Sequence, residues 1–216
     1  MHKSVQNLID VQKKINSYLK NSNEDKIPKI IAVSKTFAID KINPLIEYGH
    51  LDFGENKVQE AVNKWSDIKS KKKNLNLHLI GSLQTNKVKF AIKLFNFIHS
   101  VDSQKLAKKI FDEQEKQNKK VKIFIQVNIG NEKQKSGINK SSLPDLFAYC
   151  KSLNLDVIGL MCIPPLNKSV NYFKEMNDLN KSFGFNELSM GMSADYMDAV
   201  ENSATYLRIG SSIFGQ

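Results

Sequence analysis

Lys29-Ile30-Ile31-Ala32-Val33-Ser34-Lys35 is a short apolar run closed by a lysine, and runs of the same kind recur along the chain. They stand at 51–54, 75–81, 95–101, 122–129, 155–162, 187–192 and 206–209. Being near-continuous, they read as strands covered on both faces in a parallel sheet. Amphipathic, lysine-rich stretches separate them. The segment 57–68 places Val58, Ala61, Val62 and Trp65 on one helical face, and 88–94, 103–117, 143–153, 170–183 and 195–204 behave alike. Before the first strand, Val5, Leu8, Ile9, Ile15, Tyr18 and Leu19 recur at roughly helical spacing. Eight strand candidates, each followed by a helix or by the chain end, predict an α/β fold. The architecture expected is a single (β/α)8 TIM-type barrel with an additional N-terminal helix, one domain over 1–216. A doubly wound open sheet is the alternative, but it calls for a glycine-rich turn after its first strand, and Ser34-Lys35-Thr36-Phe37 has no glycine.

Composition narrows the class. With 41% hydrophobic, 25% charged and 9% aromatic residues over 216 positions, the chain is an ordinary globular protein, neither disordered nor fibrous. Lys+Arg number 32 against 22 Asp+Glu, a formal charge of +10. These cations are scattered, and the densest run, Lys71-Lys72-Lys73, has no aromatic residues interleaved, so specific nucleic-acid binding is not expected. Cys150 and Cys162 form no CxxC pair, which suits a reduced, cytoplasmic setting. Neither a signal-peptide core nor an apolar run of the ~18–20 residues that span a bilayer is present, so no membrane partner is expected.

Barrel enzymes and binders place their chemistry at strand C-termini. Two groups at strand ends are unusual, one after the first strand and one shared by the last two. Lys35 closes the first strand, either snorkelling to solvent or held at the barrel mouth, where partial burial would lower its pKa and free an amine for a Schiff base with an aldehyde. The last two strands end in Ser189-Met190-Gly191-Met192-Ser193-Ala194-Asp195 and Arg208-Ile209-Gly210-Ser211-Ser212. These are ordinary capped glycine turns or a phosphate cradle of hydroxyls and backbone N–H groups at a helix start. Arg208 is the chain's only arginine, set in a strand pattern: an exterior ion pair, or a permanent, directional donor where lysine would not serve. The four histidines show no HxxH or HxxxH spacing, so no metal is expected; His78 and His99 read as core or rim residues and Cys162 as a buried thiol. An aldehyde-reactive lysine, a phosphate cradle and a lone arginine together describe a site for pyridoxal 5′-phosphate.

The motifs carrying these residues resemble, in order, those of the pyridoxal phosphate homeostasis protein family. They are Ala32-Val33-Ser34-Lys35-Thr36, Phe53-Gly54-Glu55-Asn56, His78-Leu79-Ile80-Gly81-Ser82-Leu83-Gln84-Thr85-Asn86-Lys87, Ser136-Gly137, the Ser189–Asp195 stretch and Leu207-Arg208-Ile209-Gly210-Ser211-Ser212-Ile213-Phe214-Gly215. The resemblance implies a barrel related to the N-terminal domain of alanine racemase. It implies Lys35 as the Schiff-base lysine, Ser193, Gly210 and Ser211 at the phosphate, Arg208 at the pyridine nitrogen and Asn56 beside the ring. Phe37, Lys57, Leu77 and Ser82 depart from the family pattern at the rim.

The expected role is to store and deliver the cofactor in vitamin B6 homeostasis, as a monomer that meets pyridoxal phosphate-dependent apoenzymes transiently, with no catalytic residue. Arginine donates to a ring nitrogen but does not protonate it, which leaves the ring a poor electron sink. Racemisation needs an acid/base group on each substrate face, and barrel racemases take one from a second domain for which eight units leave no room. A racemase completed by dimerisation, a Schiff-base aldolase and a basic polyanion binder are the rival readings.

Overall fold

The computed structural model describes residues 1–22, 26–132, 134–165 and 169–215. Eight parallel strands close into a barrel in sequence order: β1 (Lys29–Val33), β2 (Asp52–Glu55), β3 (Asn76–Leu79), β4 (Phe97–Val101), β5 (Lys122–Gln126), β6 (Val157–Met161), β7 (Glu187–Met192) and β8 (Tyr206–Ile209). Seven fall inside the apolar runs, and β2 passes the end of its run by one residue, Glu55. Closure joins β8 to β1, with Arg208 opposite Ile31.

The N-terminal helix α1 (Lys3–Ser22) is present and buries Val5, Leu8, Val11, Ile15 and Leu19 along one stripe. Asn7 ties it to the C-terminus by donating to the Ile213 carbonyl at 2.9 Å. The crossover helices are α2 (Ile39–Tyr48), α3 (Val58–Lys71), α4 (Val88–Leu94), α5 (Gln104–Gln117), α6 (Leu143–Ser152), α7 (Ser169–Ser182) and α8 (Tyr196–Glu201), and α9 (Ser211–Phe214) follows β8.

Two of these helices escape the sequence patterns. In α2, Pro44 removes the N–H that would meet the Asp40 carbonyl, a cost of about 3 kcal/mol in a helix interior. Burial of Ile42, Leu45 and Ile46, at roughly 1.5–3 kcal/mol each, outweighs it. The helix ends at Gly49, whose φ of +97° no β-carbon residue takes readily. The other, α9, is a single turn, too short for a periodic signal.

Alternation along the strands divides the core. Outward residues such as Ala32, Phe53, Leu77, Leu79, Leu207 and Ile209 form the layer beneath the helices. Inward residues Ile31, Phe97, Phe124, Met161 and Tyr206 form a separate cluster in the lumen. Polar side chains share that lumen, and they prepare the site above it.

Candidate functional site

Lys35, Asn56, Ser193, Arg208, Gly210 and Ser211 all line one cavity of about 460 Å³ at the C-terminal end of the barrel. They come from β7, β8, β1 and β2, which are successive neighbours around the barrel, so side chains distant in sequence converge. Val33, Ile80, Ile163 and Met192 supply apolar wall.

Lys35 follows β1 in a tightly held turn. Ser34 is fully buried and its hydroxyl donates to Glu55 Oε1 at 2.7 Å. The same carboxylate oxygen accepts from Trp65 Nε1 at 2.9 Å and Lys64 Nζ at 3.0 Å, while Lys64 also donates to the Ser34 carbonyl at 2.9 Å. Beyond Lys35 the backbone turns through Thr36 at φ +66°, strained for a β-branched residue. Glu60 holds that turn by accepting the Thr36 N–H at 2.8 Å. The consequence corrects the sequence reading: Lys35 is exposed at the mouth, not partly buried, because Ser34 is the last residue the layer covers.

Arg208 lies inside the barrel with 4% exposure, which excludes an exterior ion pair. Its Nη1 donates to Ser189 Oγ and its Nη2 to the Cys162 carbonyl, both at 2.8 Å. Both partners are neutral oxygens, and Asp195 acts on the guanidinium only through space. Burial lowers its pKa from the ordinary guanidinium value, yet arginine stays charged. Burial also pushes the Cys162 thiol up to about 12, so it is an inert thiol as expected.

The corner opposite is built from β7 and β8. Their register slips between Ser189 and Met192, where Gly191 takes φ +86° and a β-carbon would lie 2.5 Å from Ala199 Cβ. The slip brings Ser193 to the start of α9. There Ser193 Oγ accepts the N–H groups of Gly210 and Ser212, each at 3.2 Å. Two backbone N–H groups of the Gly210–Ser212 turn are thus turned toward Ser193, and Ser211 stays exposed beside them. A β-carbon on Gly210 would meet only Val33 at 3.4 Å, an ordinary contact, so packing within the chain does not demand glycine there. Gly81 is different: a β-carbon would lie 2.3 Å from the Asn56 carbonyl oxygen, so this glycine lets Asn56 sit at the cavity edge.

His78 and His99 are core residues, fully buried and stacked on Phe97 and Phe124 with centroids 4.3 Å apart in each case. Of the rim departures, Phe37 stacks on Phe214 at 4.9 Å and Ser82 Oγ lies 3.0 Å from Ser136 Oγ. Leu77 is buried under the helices and Lys57 is exposed. The Glu55–Lys64–Trp65 knot is absent from the sequence reading. Its one signal is that Trp65 and Ala61, which mark the inner face of α3, bracket Lys64. Among the described residues no group of three His, Cys, Asp or Glu side chains could hold a metal ion, and no helix is long and apolar enough to cross a membrane.

A closed parallel barrel with a lysine after β1 and an arginine in β8 is of the alanine racemase N-terminal-domain class, and the family model described as "Alanine racemase, N-terminal domain" matches residues 8–216. Within that class, the chain belongs to the pyridoxal phosphate homeostasis protein family. It is 37% identical to the Aquifex aeolicus pyridoxal phosphate homeostasis protein over 87% of this chain and 86% of that one. Its identity to the Haemophilus influenzae protein of the same name is 32%, over 97% and 94%. Among solved structures, PipY of Synechococcus elongatus PCC7942 with PLP bound is 31% identical with a TM-score of 0.81, covering 93% of this chain and 100% of PipY. An alanine racemase from Clostridium difficile 630 shares the fold at 18% identity and a TM-score of 0.71, covering 96% of this chain and 57% of the racemase.

Proposed function

We propose that this chain, read as one cofactor-binding unit over its whole length, holds pyridoxal 5′-phosphate covalently on Lys35. On this reading it stores and delivers the cofactor in vitamin B6 homeostasis rather than catalysing a reaction. The observation that carries the reading is the convergence in one cavity of an exposed amine, a buried guanidinium with no contacting carboxylate among the described residues, and a corner of hydroxyls and backbone N–H groups. The PLP-bound PipY structure supports the same ligand.

The donor set fits that group. The cofactor supplies an aldehyde that a lysine amine attacks with loss of water. Lys35 is the amine at the mouth. Arg208, fixed by Ser189 and the Cys162 carbonyl, would offer its remaining N–H groups to a ring nitrogen. Ser193, Gly210 and Ser211, which line the same cavity, would hold the phosphate, and Asn56 would stand beside the ring. Lys35 is the one side chain among the described lining residues that exchanges a proton readily, whereas racemisation takes an acid/base group on each face. That lining favours holding over turnover. The protein would work as a monomer and meet recipient apoenzymes transiently.

The test is the near-visible absorption spectrum of the purified protein, followed by borohydride reduction and peptide mapping. A yellow protein with its reduced pyridoxyl group on Lys35, and transfer to an apoenzyme that regains activity, bears the proposal out. A protein that takes up no added pyridoxal phosphate overturns it, and alanine or serine racemisation above a Lys35→Ala control would replace carrier by racemase.

A further inference from the structure

Below the cavity, an unbroken line of buried polar side chains runs down the barrel axis. From Arg208 Nη1 it passes to Ser189 Oγ at 2.8 Å and on to His99 Nδ1 at 2.9 Å. His99 Nε2 lies 3.0 Å from His78 Nδ1, and His78 Nε2 lies 3.0 Å from Asp52 Oδ1. Asp52 also accepts from Asn76 Nδ2 at 3.1 Å. It is 17% exposed and lines, with Lys29 and His50, a separate cavity of about 410 Å³ between α1 and the N-terminal ends of β1 and β2. One end of the line therefore meets solvent and the other meets the cofactor cavity.

The two ends dictate the direction of every proton between them. Arginine only donates, and an ionised aspartate only accepts. With neutral imidazoles, Arg208 donates to Ser189, Ser189 to His99 Nδ1, His99 Nε2–H to His78 Nδ1, and His78 Nε2–H to Asp52. Reversing any link requires one extra proton, on His99, on His78 or on Asp52. Burial opposes a charge on His78 and on His99. Burial also acts to raise Asp52, but its hydrogen bonds from His78 and Asn76 prevail and hold its carboxyl below the usual range. The other charged groups facing the line, Lys29 and Lys69 near His78 and Arg208 near His99, likewise disfavour a further positive charge. Hydrogen bonds aligned in one sense in a dry interior polarise one another. Asp52 thus acts as the remote counter-charge of a guanidinium it never touches.

We propose that Asp52, His78 and His99 are positioning residues: a one-way hydrogen-bond relay that fixes the Ser189 hydroxyl, sets the donor strength of Arg208, and makes the cofactor cavity responsive to charge at the opposite end of the barrel. Its last step rests on the reading of that cavity as a pyridoxal phosphate site.

Nitrogen-15 NMR of the histidine and arginine side chains tests the relay without the cofactor, and Arg208, as the only arginine, gives an unambiguous Nε–H signal. Near neutral pH both His78 and His99 are expected as neutral Nε2–H tautomers. Asp52→Asn keeps an acceptor for His78 but removes the charge, and it should move the His99 and Arg208 signals. An acceptor of merely structural use would be satisfied by Asn and leave them in place. His99→Phe, which keeps the ring on Phe124 and deletes both nitrogens, should move Arg208 as well. Both variants should shift the absorption maximum of bound pyridoxal phosphate and change its dissociation constant roughly five-fold. An Nδ1–H tautomer at His99, or an Arg208 signal indifferent to Asp52→Asn, overturns the relay. Bound cofactor with an unchanged maximum and affinity in both variants overturns its coupling to the site. A wild-type protein that binds no pyridoxal phosphate overturns the functional reading instead, and the NMR result still decides the relay.

Discussion

Ser34 Oγ lies 2.7 Å from Glu55 Oε1, in the layer between the barrel and α3, and this one contact anchors the residue that precedes Lys35. Trp65 and Lys64 donate to the same oxygen, so the carboxylate binds β1, β2 and α3 at a single point. Removing it leaves the buried indole N–H without its acceptor, takes the shorter hydrogen bond from the Ser34 hydroxyl, and takes from Lys64 the nearer of its two carboxylates, the other being Glu60. Glu55→Ala is expected to cost about 3–5 kcal/mol, read as a lower urea midpoint. Trp65→Phe, which deletes one donor of the three, should cost about 1 kcal/mol.

Gly81→Ala places a β-carbon against the Asn56 backbone, where no flexible side chain can give way. A loss of about 1–3 kcal/mol is expected, together with weaker uptake of pyridoxal phosphate as Asn56 is pushed from the cavity edge. Unfolding curves and a titration followed by absorbance check the two effects separately.

Lys35 is exposed at the mouth of the cavity it lines. Lys35→Ala should leave stability within about 0.5 kcal/mol of the parent while abolishing the pyridoxyl adduct trapped by borohydride. Mass mapping of the reduced protein reads the adduct directly.

Arg208→Lys retains a positive charge but not a planar fork that reaches Ser189 Oγ and the Cys162 carbonyl together. One of those buried oxygens loses its donor, at an expected cost of about 1–3 kcal/mol. Denaturant unfolding of the variant measures it, and a stability equal to the parent's would contradict the geometry.

Burial draws His50, His78 and His99 below the ordinary histidine value of 6.5. The folded chain then binds fewer protons than the unfolded one. Their contribution is therefore complete above about 6.5 and is lost as pH falls below it, by about 1.4 kcal/mol per pH unit for each histidine until its folded value is passed. Asp52, held low mainly against burial by His78, adds a loss at still lower pH, beneath the usual carboxylate value of 3.8. Urea unfolding on either side of 6.5 should show the first decline, and His99→Phe should flatten it.

How far the sequence carries is clear from particular elements. The eight strands were legible because a strand covered on both faces has to be apolar almost throughout, and such runs are visible without any partner. Helix α2 was not, since Pro44 breaks the local pattern and only the barrel surface that receives Ile42, Leu45 and Ile46 makes the segment helical. Lys35 and Arg208 stood out by their chemistry in apolar surroundings, but the exposure of the first follows from burial ending at Ser34, in a turn where Thr36 takes φ +66° and gives its N–H to Glu60, and no local period announces that.

By itself, the order of residues determined the repeating strand and helix units, the positions where strand ends would carry chemistry, and the single arginine reserved for one of them. Tertiary structure decided what those groups touch. His99 meets Ser189 ninety positions away and His78 twenty-one positions back, and Ser193 takes up the N–H groups at the start of α9. Residues that repeat locally announce their secondary structure through the period of the backbone. Hydrogen-bond partners across a closed barrel share no local period, and only strand register and closure bring their atoms to within 3 Å or so.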